Sequence, residues 1–247
     1  MPGDVHTLVF WSKNFGSFLE KGYGDDLENR GYHLFFNFTL NSESPLLEPM
    51  MPPLCQRLDQ MDALCRRFGP ASVVWRFDPI CFYTRDDGAI QNNLADFSVI
   101  ADKAAACGIK RCITSFVDLY PKIRQRTAHV KEFAFVEPDI GEKTGVVLEL
   151  EAILLRRNIR LFLCCEKEVL SHLPETSTVK NASCISGHLL LELFGGRLSL
   201  KKDYGQRIQN GCGCGTSVDI GSYALQPCGH QCLYCYANPG RTRKDGK

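Results

Sequence analysis

The sequence has no long hydrophobic run and almost no net charge. Its 247 residues carry 29 Lys and Arg against 28 Asp and Glu, a formal net charge of +1. No apolar stretch approaches the roughly 20 residues of a membrane-spanning helix, and no basic start with a following apolar segment marks an export signal. The balance of charge gives no reason to expect nucleic acid or a membrane as partner. We therefore expect a cytoplasmic protein that acts on a small molecule.

Several familiar catalytic patterns are also missing. No Gly-rich phosphate-binding turn follows the first predicted strand, which disfavours a dinucleotide-binding sheet. The six His lie in unrelated contexts, so no Ser–His–Asp group stands out and a metal-free hydrolase is not favoured. Internal repeats and low-complexity tracts are absent.

Cysteine, by contrast, is abundant, with 13 in the chain. The odd count, the uneven spacing and the missing export signal argue against a disulfide framework. Part of the set is dispersed among apolar residues, where we expect small buried hydrophobes. These dispersed cysteines are Cys55, Cys65, Cys81, Cys107, Cys112, Cys164, Cys165 and Cys184.

Short apolar segments rich in β-branched and aromatic residues alternate with amphipathic ones along the chain. Nearly continuous hydrophobicity is typical of parallel strands that are covered on both faces. The predicted strands are 6–11, 33–40, 72–77, 112–117, 159–165 and a short sixth at 182–185. The predicted helices are about 16–30, 53–68, 91–106, 121–136, 143–157 and 188–194.

This alternation predicts βαβ units, and we favour a TIM-like (β/α) barrel, closed, partial or open, over a doubly wound sheet. Polar residues lie at or just beyond the carboxyl end of each of the five longer predicted strands, among them Lys13, Asn37, Asp78, Ser115 and Glu166. The carboxyl ends of barrel strands are where such folds build active sites. We expect an α/β barrel-like domain over 1–210, a cysteine-rich loop over 211–239 and a disordered tail over 240–247.

The loop contains Cys228, Cys232 and Cys235 in a C-x3-C-x2-C spacing, with Tyr234 before the last. This spacing lets three thiolates bind three irons of one 4Fe–4S cubane and leaves the fourth iron open for chemistry. A zinc knuckle that pairs Cys232 and Cys235 with the Cys212-Gly213-Cys214 turn is the alternative. Cys212 and Cys214 are otherwise candidates for a second metal or cluster, or for a redox pair.

The loop matches the C-x3-C-x-aromatic-C loop of the radical S-adenosylmethionine (SAM) superfamily. The whole chain resembles one uncharacterised bacterial family, a domain of unknown function with such a loop at its C-terminus. The matching segments span nearly the entire sequence. They are Trp11-Ser12-Lys13-Asn14, Phe38-Thr39-Leu40, Trp75 to Ile80, Asp203 with Gln206-Arg207, Cys212 to Cys214, Ser217 to Tyr223, and Cys228 to Asn238.

The resemblance implies a radical SAM enzyme of unknown reaction. It implies that Cys228, Cys232 and Cys235 bind the cluster, that SAM chelates the open iron, and that an electron donor such as flavodoxin or ferredoxin reduces it. Further residues are predicted to bind SAM or substrate: Lys13, Asn14, Arg76, Asp78, Asp203, Arg207 and Asp219. For Arg76 and Asp78 a buried ion pair is the alternative role. A non-catalytic iron–sulfur or zinc module, and a repair lyase acting on nucleic acid, are the competing functions.

The chain departs from the family pattern in three places. It starts after a segment that carries paired Arg and an Asp in the family, ends soon after the cysteine loop, and has Phe15 where Pro is expected. Without that first unit, both a closed and an open barrel are compatible with the sequence.

Overall fold

The computed structural model describes residues 2–85, 88–204, 207–222, 225–235 and 237. The predicted tail at 240–247, the loop tyrosine Tyr236, and Gln206, Tyr223 and Asn238 lie outside these residues.

Two β-sheets organise the chain. In chain order the strands are β1 (Thr7–Ser12), β2 (His33–Thr39), β3 (Val73–Ile80), β4 (Phe82–Thr84), β5 (Ile90–Asn92), β6 (Arg111–Phe116), β7 (Ala134–Val136), β8 (Arg160–Leu163) and β9 (Lys180–Asn181). The larger sheet has six strands in the order β1-β2-β3-β6-β8-β9, and each adjacent pair is parallel.

This sheet confirms the α/β class and all five longer predicted strands. The sixth, β9, lies two residues earlier in the chain than predicted. Within the described residues no pairing joins β1 to β9, so a closed barrel is not found.

The smaller sheet is antiparallel, with the order β5-β4-β7, and it was not predicted from the sequence. It overturns parts of two predicted helices, because residues 90–92 and 134–136 form strands instead. Three-residue strands show no periodicity of their own, and cross-strand pairing overrides local helix propensity. Phe135 packs edge-on against Phe133, which stacks on Tyr83 of β4.

The helices cover the sheet or lie beside its edges. Helix 16–30 was predicted as one piece but is two, with Gly22 between them at a φ of 67° that favours glycine. The structure describes no helix with the length and apolarity that crossing a membrane requires. The helices are α1 (Gly16–Glu20), α2 (Tyr23–Asn29), α3 (Leu54–Phe68), α4 (Phe97–Ala106), α5 (Pro121–Thr127), α6 (Ile140–Leu155), α7 (Lys167–His172) and α8 (Gly187–Phe194), with 3-10 turns at Pro2–Asp4, Pro70–Ser72 and Ile208–Asn210.

The two faces of the parallel sheet have different covers. Alternate side chains point to opposite faces of a strand, so Phe36 and Phe38 of β2 pack with α3, α4 and α6 in one large core. Phe35 on the opposite face packs instead with α8 and Cys214. We call this second side the inner face. The chain after β9 therefore folds back across the inner face, beside the carboxyl ends of the strands.

Candidate functional site

Polar side chains gather at the carboxyl ends of the parallel strands, as the sequence predicted. One of them is re-aimed by a β-bulge in β3, where Phe77 pairs with Thr114 but Ile80 pairs with Phe116. Bulges of this kind redirect side chains beside functional sites. Asp78 lies inside the bulge, and its carboxylate accepts a hydrogen bond of 2.5 Å from the Ser115 hydroxyl.

Arg76 and Asp78 form an ion pair on β3, which is the alternative role predicted for these two residues. The Arg76 side chain is almost fully buried, yet it also donates from Nη1 to the Cys184 sulfur at 2.8 Å. Its guanidinium lies 5.7 Å from the centre of the half-exposed Trp11 ring. The pair therefore serves as an internal connection and also borders an exposed aromatic surface.

A buried carboxylate, Glu48, holds the ends of β1 and β2 together. Its Oε1 accepts from Lys13 Nζ at 3.0 Å and from Asn41 Nδ2 at 2.9 Å, and also from the Tyr234 hydroxyl. Arg57 lies 3.7 Å from its other oxygen. Burial raises the pKa of Glu48, but Lys13, Tyr234 and Arg57 together lower it below its usual range. Sequence analysis missed Glu48, since it lies in a loop between polar and proline residues without any motif.

Asn41 joins the Glu48 carboxylate to Asp78. The Asp78 backbone N–H donates to Asn41 Oδ1 at 2.8 Å, and Asn41 Nδ2 donates back to the Asp78 carbonyl at 3.2 Å. One continuous polar network therefore runs from Cys184 through Arg76, Asp78, Asn41 and Glu48 to Tyr234.

The predicted cysteine loop is anchored on that network. Cys232 and Tyr234 are buried and pack with Leu47, Cys81 and Tyr83, whereas Cys228 is exposed. The Leu233 backbone N–H donates to the Leu47 carbonyl at 2.9 Å. The loop is therefore fixed on one side and open to solvent on the other.

Arg126 of α5 binds the backbone of the loop. Its Nη1 donates to the backbone carbonyls of Cys232, Leu233 and Cys235 at 3.3, 2.8 and 3.0 Å. Three carbonyls converging on one cation fix the path of the chain around the last two cysteines. Nothing in the sequence pointed to Arg126.

The three loop cysteines lie near one another. Burial raises the pKa of the Cys232 thiol to about 12, with smaller contributions from the charges of Glu48, Cys235 and Cys228 and with Lys13 opposing them. Within the described residues no three His, Cys, Asp or Glu side chains surround a single-ion site.

A second group of cysteines lies on the inner face, and sequence analysis did not find it. Cys164 Sγ lies 3.4 Å from Cys184 Sγ and 3.8 Å from Cys165 Sγ. The Cys212 and Cys214 thiols interact with those of Cys165 and Cys184. We call Cys164, Cys165, Cys184, Cys212 and Cys214 the inner thiol cluster. The zinc-knuckle alternative paired Cys212 and Cys214 with Cys232 and Cys235, but the two pairs pack in different clusters.

Ionisation is uneven in the inner thiol cluster. Hydrogen bonds from Cys164 and Cys214, with the charge of Arg76, lower the pKa of the buried Cys184 thiol. Contact with Cys164, whose single S–H can be donated to Cys165 or to Cys184 but not to both at once, and the charge of Arg207 lower the pKa of Cys165 to about 7. The pKa values of Cys164 and Cys214 are raised, first because they donate those hydrogen bonds. Thiolates beside arginines are the reactive form of cysteine.

The expectation for dispersed cysteines is therefore only partly confirmed. Cys65, Cys81 and Cys112 are buried as predicted, while Cys55 is exposed. Cys164 and Cys184 are buried too, but among other thiols and beside Arg76 rather than in plain apolar surroundings. Sequence spacing carries no signal for this, because the sheet brings them together.

Glu166 is a further titratable group at the end of β8. Its carboxylate accepts from the Phe116 backbone N–H at 2.8 Å. Burial raises the pKa of Glu166 to about 7, helped by the charges of Asp118 and Cys165. A carboxyl that titrates near neutrality at a strand end is suited to proton transfer.

The other predicted cofactor-binding residues are dispersed. Asn14 Oδ1 accepts from the Gly16 backbone and from Gln60 Nε2, both at 2.9 Å, which fixes the start of α1. Arg207 pairs with Asp118 beside Cys165. The Asp203 backbone N–H donates to the Cys214 carbonyl. Asp219 is exposed within 216–222, where every residue is exposed. Lys13, Arg76 and Asp78 alone join the central network.

A cavity of about 500 Å³ lies elsewhere, at the amino ends of β1 and β2. It is lined by His6, His33 and the turn after α8. We give it less weight than the opposite end, because the network, both cysteine groups and Glu166 all lie at the carboxyl ends of the strands.

The sequence matches the family described as Domain of unknown function (DUF1848) over residues 1–237. The match covers nearly the whole chain, so the protein belongs to this family, as the resemblance predicted. No curated protein matches it.

Proposed function

We propose that this member of the family is a radical SAM enzyme whose Cys228, Cys232 and Cys235 hold a 4Fe–4S cluster. The observation that carries the proposal is the way the C-x3-C-x-Tyr-C loop is built. Tyr234 and Cys232 are buried, and the Tyr234 hydroxyl donates to the Glu48 carboxylate at the strand ends. Cys228 is exposed. The buried Glu48 carboxylate and the Arg126 guanidinium fix the position of a segment that carries three thiols, and this combination favours a loop that binds a group.

Bound in this loop, such a cluster supplies the one-electron cleavage of the SAM sulfonium bond, with reduction by a flavodoxin or ferredoxin. The chain supplies position and shelter. Arg126 fixes the loop backbone, and the buried Tyr234 ring keeps water from one side of the thiols. Lys13 lies 5.2 Å from the centre of that ring, which brings a cation to the side of the loop where an anionic ligand group would be received.

A ligand-binding position is favoured on the inner face beside Arg76. Arg76 Nε and Asn37 Oδ1 are both buried, and neither has a hydrogen-bond partner in the described part of the chain. Buried polar atoms without partners are costly. One donor and one acceptor on neighbouring strands suit a ligand that carries a hydroxyl or an amino acid group, and the Trp11 ring would cover its apolar part.

The proposed architecture is a partial TIM-like barrel. Every strand of the large sheet lies beside its neighbour in the chain, apart from the strands of the small sheet. A doubly wound sheet reverses its strand order at a switch point, and no reversal occurs here. The return of α8 across the inner face fills the space that opposing strands fill in a closed barrel.

Anaerobic reconstitution with iron and sulfide tests the function. We expect a brown protein with a reducible cubane signal in electron paramagnetic resonance, and release of 5′-deoxyadenosine from SAM after reduction. Cys232→Ala should abolish both, because a cubane held by two thiolates is not retained.

The matched control is Cys81→Ala. Cys81 packs in the same buried cluster as Cys232 but lies outside the motif, so its loss should leave the cluster signal in place. Stoichiometric zinc without deoxyadenosine release would instead identify a non-catalytic metal-binding module. Equal loss of signal in both variants would mean that the loop motif does not hold the cluster.

A further inference from the structure

The inner thiol cluster forms a connected series in space. Neighbouring thiols interact in the order Cys212, Cys165, Cys164, Cys184 and Cys214. Cys165 and Cys212 are partly exposed, and the other three are buried. The series therefore leads from the surface into the protein.

The backbone is shaped to bring these thiols together. Cys164 and Cys165 directly follow β8, and if the extended backbone continued, their side chains would point to opposite faces. Cys165 instead has a left-handed φ of 62°, an unfavourable conformation for a side chain with a Cβ, and its thiol lies beside that of Cys164. On the other side, a Cβ at Gly213 would lie 2.5 Å from the Ser183 hydroxyl. A side chain there would displace the Ser183 hydroxyl, which donates to the Gly213 carbonyl at 2.7 Å and holds this segment close.

The surroundings are not those of a plain core. Arg76 donates to the Cys184 sulfur, and Arg207 lies near enough to act on Cys165. A single metal ion is not favoured, because no three of these thiols surround one point in the described structure. Thiol–disulfide exchange proceeds by attack of a thiolate on a disulfide sulfur, and sulfurs in contact with one another are placed for such attack to pass along the cluster.

We propose that the inner thiol cluster is a thiol–disulfide exchange centre that reacts with a small-molecule disulfide. Cys165 is the entry thiol, and Cys212 is the resolving thiol. This proposal does not depend on the proposed SAM chemistry, since none of the three loop cysteines takes part.

The exchange has two steps. The Cys165 thiolate attacks one sulfur of the small disulfide, which forms a mixed disulfide and releases one small thiolate. The Cys212 thiolate then attacks the Cys165 sulfur, which forms the Cys165–Cys212 bond and releases the second small thiolate. The two cysteines lose two protons and two electrons, and the small disulfide gains both as two thiols. Cys164, in contact with Cys165, can carry the exchange inward to Cys184 by the same kind of step.

The test treats the fully reduced full-length chain with oxidised glutathione and maps the products by mass spectrometry over time. We expect Cys165 to react at least about tenfold faster than Cys55, an exposed cysteine on α3, because thiolate stabilised by arginine is the nucleophile. A disulfide within the inner thiol cluster should follow, with Cys165–Cys212 formed first and two glutathione molecules released per chain.

Cys212→Ser is the diagnostic variant, and Cys55→Ser is its matched control. In Cys212→Ser we expect glutathione to remain attached to Cys165 longer than in the parent, while Cys55→Ser should behave as the parent does. Circular dichroism checks that both fold. The proposal is overturned if Cys165 reacts no faster than Cys55, or if disulfides form outside the cluster. Stoichiometric metal that persists without the loop cysteines, but is lost from Cys184→Ser, would also overturn it in favour of a metal site.

Discussion

The two cysteine groups of this protein are built in opposite ways. The loop thiols come from eight consecutive positions, 228–235, and one turn of chain carries all three. The inner thiols come from three separate segments, after β8, after β9 and around Gly213, and only the sheet brings them together. The loop is anchored by groups that touch its tyrosine and its backbone, whereas the inner cluster is held by contacts among the thiols and with Arg76.

This difference predicts which changes would displace each cysteine group. The loop depends on a few distant anchors, Glu48 and Arg126 above all, and loses its position if they are removed. The inner cluster depends on strand register, and it persists as long as the sheet does. The Arg76–Asp78–Asn41 chain of hydrogen bonds connects the two groups, but neither group depends on it for its own anchoring.

The largest expected effect is that of removing the Glu48 carboxylate. Glu48→Gln leaves Lys13 and Arg57 without their counter-charge in a buried site. We expect the free energy of unfolding to fall by about 3–5 kcal/mol, as for other broken buried ion pairs. Chemical denaturation measures it, and Glu175→Gln, at an exposed glutamate, is the control.

The same variant sharpens the comparison. Where it still folds, protease cleavage around 228–235 should increase while the reaction of Cys165 with disulfides stays as in the parent. An equal effect on both groups would mean that the network, and not separate anchoring, governs them.

Glu166→Gln is expected to make stability less dependent on pH. The folded state raises the pKa of Glu166 from 4.5 to about 7, so the unfolded chain ionises first as the pH rises. The folded protein therefore loses stability between pH 4.5 and 7, and Gln does not. We expect the variant to match the parent at pH 4.5 and to be about 2–3 kcal/mol more stable than it above pH 7.

Thermal unfolding across that pH range is the measurement. Because Glu166 acts electrostatically on Cys165, the substitution probes the inner side of the comparison. Parallel pH profiles for parent and variant would contradict a raised carboxyl pKa.

Arg126→Ala should loosen the loop and leave the inner cluster unchanged. The three carbonyls lose a charged donor, but water can take its place as hydrogen-bond donor. We therefore expect the free energy of unfolding to fall by only about 1–2 kcal/mol. Amide hydrogen exchange should rise at 232–235 more than in 160–165. Lys122→Ala, an exposed cation on the same helix, is the control, and matching exchange in the two variants would count against the clamp.

Asn14→Ala has the smallest expected effect. Its side chain fixes the start of α1 through Gly16 and Gln60, so we expect about 0.5–1.5 kcal/mol lower stability and no change at either cysteine group. A fall in SAM affinity larger than the loss of folded protein explains would support Asn14 as a ligand residue, which the family resemblance implies.

The fold was largely predictable from local patterns. A strand buried on both faces, such as β2, is recognisable from a continuous run of apolar residues. A helix buried on one face, such as α3, is recognisable from apolar residues that recur with the helical period. Strands β4, β5 and β7 do not, since three residues hold no period. Of the central network, Lys13, Arg76 and Asp78 were found from their positions at strand ends. Glu48, Asn41 and Arg126 were not, because their role depends on partners far away in the chain.

By itself the sequence determined the alternation of strands and helices, the family, and the run of cysteines whose spacing suits a cubane. Each of these is a local property, set by residues within one element or one turn. Only the tertiary structure decided that Cys164, Cys165 and Cys184 join Cys212 and Cys214, and that Glu48 lies beneath Tyr234. Parallel strands bring their carboxyl ends together whatever the length of chain between them, and that distance erases any signal in the spacing.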